Sequence, residues 1–238
     1  MRPLHIITPV KDSIPSAIQT AGSVLSSKIS RRCTYTIYND YSTPENTALL
    51  ERYSKQLDFG LVNLSDLTSH PSPNYLLTLQ HSQRLALDEG ADLMIVESDV
   101  VVAPDTIQRL SDRAAERSDC GIAAAVTVDE MGVINYPYDY ARGREGEDFA
   151  VRRHCSFCCS LLTNELLSEF DFRELDADKH WFDVTISQKS LALGFNNYLF
   201  CSLPVVHRPH TSRPWKQLKY AHPLRYYWTK FTKGFDKI

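Results

Sequence analysis

Residues Leu93–Pro104 read Leu-Met-Ile-Val-Glu-Ser-Asp-Val-Val-Val-Ala-Pro. Four apolar residues stop at Glu97-Ser98-Asp99, and a second apolar run and a proline follow. An apolar run bounded in this way reads as a buried strand of an α/β sheet. Two carboxylates at its C-terminal end project into the crevice where open α/β sheets bind ligands. Acid-x-acid there suits a divalent cation carrying a diphosphate, because hard cations take carboxylate and phosphate oxygens together. The competing reading is two solvated acids at a strand end.

The sequence on either side supports the strand. His5 to Val10 reads as a first strand, and Ser13 with Pro15 opens a helix to about Ser27, serine as N-cap and proline in its first turn. Tyr35 to Tyr38 is a second strand, closed by Asn39-Asp40-Tyr41-Ser42, and Pro44 starts a helix to about Leu57. Phe59 to Leu64 is a short third strand. A Ser/Pro-rich loop, Ser69 to Pro73, leads into a helix that Gly90 stops. This β-α-β-α-β-α-β alternation predicts a parallel, doubly wound, Rossmann-like sheet. Beyond Pro104 the pattern predicts a helix to about Arg117 and a strand over Gly121 to Val126. Ala141 to Asp148, rich in glycine and charge, reads as a mobile loop. Apolar structure resumes over Ser156 to Leu162. Helices follow over Asn164 to Phe170 and Val184 to Leu193, the second ended by Gly194, and Tyr198 to Val206 is the last strand.

The chain has 238 residues, 43% hydrophobic and 23% charged, enough for one large domain with an appendage. No run approaches the roughly 18 apolar residues of a membrane span. Met1 to Val10 is too short and broken for a signal peptide, so a cytoplasmic protein is expected. Its six cysteines then read as reduced core residues. Cys155-Ser-Phe-Cys158-Cys159 invites a zinc reading, but no second C-x-x-C accompanies it, and a strand of packed thiols accounts for it better. From Arg208 onward eight basic residues stand against the single acid Asp236, a charge of +7, which leaves −10 on the rest of a chain totalling −3. An acidic body argues against nucleic-acid binding. A basic tail points to an anionic surface. Within it Leu224, Tyr227, Trp228, Phe231 and Phe235 fall on one helical face, suited either to a membrane surface or to the protein's own core.

Four segments together resemble family-2 glycosyltransferases of GT-A fold. They are Ile7-Thr8-Pro9-Val10-Lys11-Asp12, Tyr38-Asn39-Asp40-Tyr41-Ser42-Thr43, Glu97-Ser98-Asp99, and Trp181-Phe182-Asp183-Val184 followed by Gly194 and Val205-Val206-His207. The second is similar to the family's acidic turn, the third to its D-x-D, and the fourth to its acidic-pair segment and a later histidine. His222-Pro223-Leu224-Arg225-Tyr226-Tyr227 resembles a segment that follows the catalytic domain in bacterial rhamnosyltransferase-like members. The chain departs from the family at Glu97, usually Asp, at Phe182, usually Glu, and at Lys189, often Arg.

The resemblance implies a GT-A domain over residues 1–210, with a nucleotide-binding half and a C-terminal acceptor half, and a basic aromatic tail over 211–238. It implies an inverting, metal-dependent transfer from a UDP- or dTDP-sugar to a glycan or lipid-linked acceptor hydroxyl; the basic tail, if it lies on a membrane, would put the enzyme at the inner membrane face. Asp99 and His207 would hold Mn²⁺ or Mg²⁺, with His210 competing for the imidazole role, and Glu97 would contact ribose or metal. Thr8, Pro9, Asp12, Asp40 and Ser98 would complete the nucleotide site. Asp12 is equally suited to capping the first helix, and Asp40 to satisfying its own turn. Asp183 would be the general base, or else a helix cap. Trp181 would stack on the acceptor sugar, or else fill the core. Two other readings remain: a relative that binds nucleotide sugar without turnover, and a sugar-1-phosphate nucleotidyltransferase. The latter wants a glycine-rich loop after the first strand, and Thr8-Pro9-Val10-Lys11-Asp12-Ser13 has no glycine.

Overall fold

The computed structural model describes residues 2–178 and 181–208, together with His222, Leu224, Arg225, Trp228 and Thr232. Strands β1 (Leu4–Val10), β2 (Cys33–Asn39), β3 (Gly60–Asn63) and β4 (Asp92–Val96) alternate with helices α1 (Ile14–Leu25), α2 (Pro44–Leu57) and α3 (Tyr75–Asp88). β1 pairs in parallel with both β2 and β4, and β3 with β2, as the alternation predicts. Leu93, Met94, Ile95 and Val96 are all fully buried. Ile7, Leu93 and Ile95 join one core, while Ile6, Met94 and Val96 join the other. Two buried faces explain why the strand reads as unbroken apolar sequence. Gly90 and Gly194, at φ +62° and +91°, end their helices in the left-handed region that glycine adopts freely.

The second half departs from a purely parallel sheet. It comprises β5 (Val100–Val101), α4 (Thr106–Ala115), β6 (Cys120–Val128), β7 (Asp148–Ala150), β8 (Cys159–Leu162), α5 (Asn164–Glu169), α6 (Phe182–Ala192) and β9 (Asn196–His207). The nine-stranded sheet runs β3-β2-β1-β4-β8-β6-β9-β5, with β7 also on β9. β8 lies antiparallel between β4 and β6, while β6 and β9 are parallel to each other. β5 and β7 are antiparallel to β9. The sheet is therefore mixed and mostly parallel. The stretch read as a mobile loop is a series of turns. Gly146 N–H donates to the Cys201 carbonyl at 3.2 Å, and Asp148 begins β7.

Helices α1, α2 and α4 cover one face, with Ala17, Leu50 and Leu110 at 0% exposure. Helices α3, α5 and α6 cover the other through Leu79, Leu166 and Ile186. Gly121 of β6 brings α6 close, since a Cβ there would lie 2.2 Å from Ser190 Oγ and 2.9 Å from Phe195 Cβ. All six cysteines are free thiols, five of them buried.

Among the described residues no helix is long and apolar enough to cross a membrane. The boundary expected at residue 210 lies outside the described residues, as do His210, Tyr227, Phe231 and Phe235. Leu224 and Trp228 are helical and 88% and 71% exposed.

Candidate functional site

Two strand registers assemble the centre of the site. Val96 faces Cys159 in the β4–β8 pair, so Glu97 falls opposite Cys158, and Glu97 N–H donates to the Cys158 carbonyl at 2.9 Å. Val100 faces His207 in the β5–β9 pair, and Arg208 N–H donates to the Asp99 carbonyl at 3.0 Å. The acid-x-acid turn is thereby clamped between β8 and the end of β9. Glu97, Asp99 and His207, distant in sequence, meet at the C-terminal end of β4.

The side chains converge on one small volume. His207 Nε2 lies 3.6 Å from Asp99 Oδ2, and the two side chains are only 4% and 8% exposed. His207 Nδ1 lies 2.8 Å from the Tyr136 carbonyl, which can only accept. Nδ1 therefore carries a proton and donates it to that carbonyl, which leaves Nε2 as the ring nitrogen directed at Asp99. Asn135 Nδ2 donates to the His207 carbonyl at 3.0 Å and fixes the backbone behind the ring. Cys158 Sγ donates to Glu97 Oε2 at 3.5 Å and touches Ser156 Oγ at 3.4 Å. Burial pushes the Cys158 thiol well above its ordinary pKa, and the charges of Glu97 and Asp99 push the same way. Among the described residues, Glu97, Cys158 and His207 form a group of potential ligands whose atoms all lie within 4.8 Å of one another. A buried carboxylate, Asp99, and a half-buried one, Glu97, gathered beside the Nε2 of His207 suit a positive charge between them. The donor set, carboxylate, imidazole and thiol, fits a divalent cation.

The nucleotide-side residues are held by a second network. Asp40 Oδ2 accepts from Ser72 Oγ at 2.8 Å and from Asn74 N–H at 2.9 Å, and Oδ1 accepts from Asn74 Nδ2 at 2.9 Å. Asp40 thus orders the loop into α3 and does not merely close its own turn. Asp12, at φ +57°, accepts from Thr43 N–H at 2.7 Å and Asn46 Nδ2 at 3.0 Å. Its carboxylate holds the first turn of α2; it does not cap α1. Those donors keep the Asp12 carboxyl below its ordinary pKa. Thr8 is fully buried and accepts from Tyr35 O–H at 2.9 Å, while Pro9 beside it is half-buried. Ser98 is 8% exposed, between the two acids.

Asp183 stands in the first turn of α6 and accepts from Val184 N–H at 2.9 Å. The helix it begins packs against the segment leading to Cys158, where Cys155 N–H donates to Ser187 Oγ at 3.0 Å. Phe182 is 5% exposed and packs on Tyr75, ring centroids 6.2 Å apart, so the position where the family has an acid is filled by core. Trp181 is half-buried at the helix start, and its carbonyl accepts from Thr185. Lys189 lies 3.9 Å from Glu174 and over the Phe170 ring.

No protein-family model and no curated relative matches the chain. Solved structures do. The mannosyltransferase PcManGT from Pyrobaculum calidifontis, in complex with GDP-Man and Mn²⁺, aligns at TM-score 0.66 and 14% identity over 98% of this chain and 65% of that one. S. aureus TarS (1-349) with UDP aligns at 0.62 and 13%, over 92% and 64%. The same protein with UDP-GlcNAc aligns at 0.58 and 12%, over 88% and 60%. The chain has a GT-A fold. It spans less than two thirds of the length of each of these solved chains.

Within this GT-A sheet, sequence reasoning missed Asn135 and Tyr136, which no spacing marks, and set Cys158 aside as a packed thiol of a C-x-x-C that lacks a second pair. They reach the site only through the antiparallel placement of β8 and the turn after β6.

Proposed function

We propose that the protein is an inverting glycosyltransferase that moves a sugar from a nucleoside diphosphate sugar, UDP or dTDP, to an acceptor hydroxyl. The observation that carries the reading is the convergence of Glu97, Asp99 and His207 Nε2 at the strand ends of a GT-A sheet. PcManGT was solved with GDP-Man and Mn²⁺ and TarS with UDP-GlcNAc, which supports a nucleotide sugar as donor here. When bound, Mn²⁺ or Mg²⁺ would offset charge building on the leaving diphosphate.

The chain's own residues then divide the work. Asp99 and His207 hold the cation, and Glu97 contacts cation or ribose. Thr8, Pro9, Asp12, Asp40 and Ser98 form the nucleotide side, with Asp12 and Asp40 acting through the loops they tie down. Asp183 takes the acceptor hydroxyl proton, since an inverting transfer needs one carboxylate opposite the leaving group. Trp181, beside that base, is a stacking surface for an acceptor sugar. The burial of Phe182 leaves one acid fewer than the family pattern has, and this favours a second reading, a nucleotide-sugar binder without turnover. Release of nucleoside diphosphate in the presence of donor and acceptor separates the two.

The binding half is tested by calorimetry with UDP, dTDP and GDP, each with and without Mn²⁺. At least one should bind more tightly with Mn²⁺, and Asp99→Ala should remove the metal-dependent part while leaving the fold intact. Equal nucleotide affinity with and without metal in both proteins would sink the proposal.

A further inference from the structure

Cys158 belongs to the cation cluster and has no part in the function just described. It is 2% exposed, stands immediately before β8, and faces Glu97 through the β4–β8 register. Its sulfur meets polar atoms, Glu97 Oε2 at 3.5 Å and Ser156 Oγ at 3.4 Å. His207 Nε2 completes a carboxylate-thiol-imidazole set whose ligand atoms lie within 4.8 Å of one another. Oxygen-only sites suit Mg²⁺, Ca²⁺ and Mn²⁺, whereas a sulfur and an imidazole select borderline and softer ions. Zinc takes sulfur, nitrogen and carboxylate ligands, and with three protein ligands it keeps a fourth position for another oxygen.

We propose that Cys158 is a metal ligand, and that with Glu97 and His207 it makes this crevice a site for a thiophilic divalent cation of the Zn²⁺ class. The proposal deepens the transferase reading by naming the kind of ion its crevice prefers. Binding replaces the sulfur–hydrogen bond with a sulfur–metal bond and releases the proton to solvent; no electron moves. The His207 ring is already set for the task, because its Nδ1 proton is committed to the Tyr136 carbonyl at 2.8 Å.

The test titrates the reduced full-length protein with Co²⁺ and separately with Cd²⁺, without nucleotide. One equivalent should bind and produce the near-ultraviolet thiolate-to-metal charge-transfer band. Cys158→Ser and Cys158→Ala should lose the band, while Cys159→Ser and Cys33→Ser keep it. Cd²⁺ affinity should fall by about tenfold or more in the Cys158 variants, the scale of a lost metal-site group, and Mg²⁺ affinity should change less. Absence of the band in the wild-type protein overturns the proposal and needs no variant to fold. So does a band that survives Cys158→Ser, or a failure of either ion to bind. If Mn²⁺-dependent nucleotide binding persists in those cases, only the thiol assignment is lost. If nucleotide binding fails while the band is present, the transferase reading falls and the metal site stands.

Discussion

Asp183 is the residue whose role is most open to a direct test. It sits in the first turn of α6, where a carboxylate also interacts favourably with the helix dipole. Asp183→Asn keeps the size and most of the hydrogen-bonding capacity, so fold and nucleotide binding should persist. Turnover should fall by about 10²-fold or more, the usual scale for a lost general base. A wild-type rate in steady-state assays would make Asp183 a structural residue of the helix start. His207 shows how much a single backbone acceptor decides. Because the Tyr136 carbonyl takes the Nδ1 proton, the nitrogen that faces Asp99 is the one able to accept a cation.

At the scale of elements, α6 carries Asp183 and leans on β6 at Gly121. A methyl group there would meet Ser190 and Phe195 closer than real contacts allow. Gly121→Ala should destabilise the protein by about 1–3 kcal/mol, the cost of overpacking a core. It should also weaken turnover more than nucleotide binding, because the shifted helix bears the proposed base. Chemical denaturation gives the first quantity, and comparison of kcat with nucleotide Kd gives the second. The tail is the other element with a distinct expectation. It carries +7 from Arg208 onward, and Leu224 and Trp228, each helical, are exposed. Each basic residue near an anionic membrane contributes on the order of 1 kcal/mol, weakened by salt. Full-length protein should sediment with anionic vesicles at low salt, and a chain ending at Arg213 should not, while nucleotide binding is kept. Indifference of the full-length protein to such vesicles would assign the aromatic stripe to the protein's own packing.

Across the whole molecule, the last strand is fastened to the rest partly by charge. Asp119 accepts from Asn196 Nδ2 at 2.6 Å and from Tyr198 O–H at 3.0 Å, and Arg117 lies over the Tyr198 and Phe200 rings. The Asn196 hydrogen bond holds the Asp119 carboxyl below its ordinary pKa. A depressed folded-state pKa gives stability that is fully present above the unfolded value of about 3.9. It is lost as pH falls through the lower folded value. Asp119→Asn should therefore lower stability at about pH 6, and its deficit against wild type should shrink toward about pH 3. A deficit independent of pH in urea unfolding would mean that the charge contributes nothing.

The first half of the fold was legible because parallel strands buried on both faces leave continuous apolar runs, as Leu93–Val96 does, and helices leave Pro44 and Gly90 at their ends. Sheet order beyond β4 was not legible. β8 and β9 are placed by pairing with strands far away in sequence, and β7 hides in a glycine- and charge-rich stretch whose composition reads as loop. Glu97, Asp99 and His207 stand out in the sequence and lie together in the fold, but Cys158 joins them through a register that no spacing reveals. The resemblance puts Asp40 in the nucleotide site, while its hold on Ser72 and Asn74, 32 and 34 residues away, leaves no local sign.

His207 closes β9, the final strand of the sheet, yet its partner Asp99 is made more than a hundred residues earlier. A ribosome therefore finishes the two carboxylates and Cys158 long before the imidazole exists. A polypeptide halted before Asn196 owns most of the sheet but leaves one long side of β6 unpaired and the cluster one ligand short. An ion that prefers the complete cluster then binds the finished chain over every shorter one, and stabilises it by mass action. If the crevice takes a divalent cation as proposed, its capture falls late in biosynthesis, and chains made when the ion is scarce would be less resistant to unfolding.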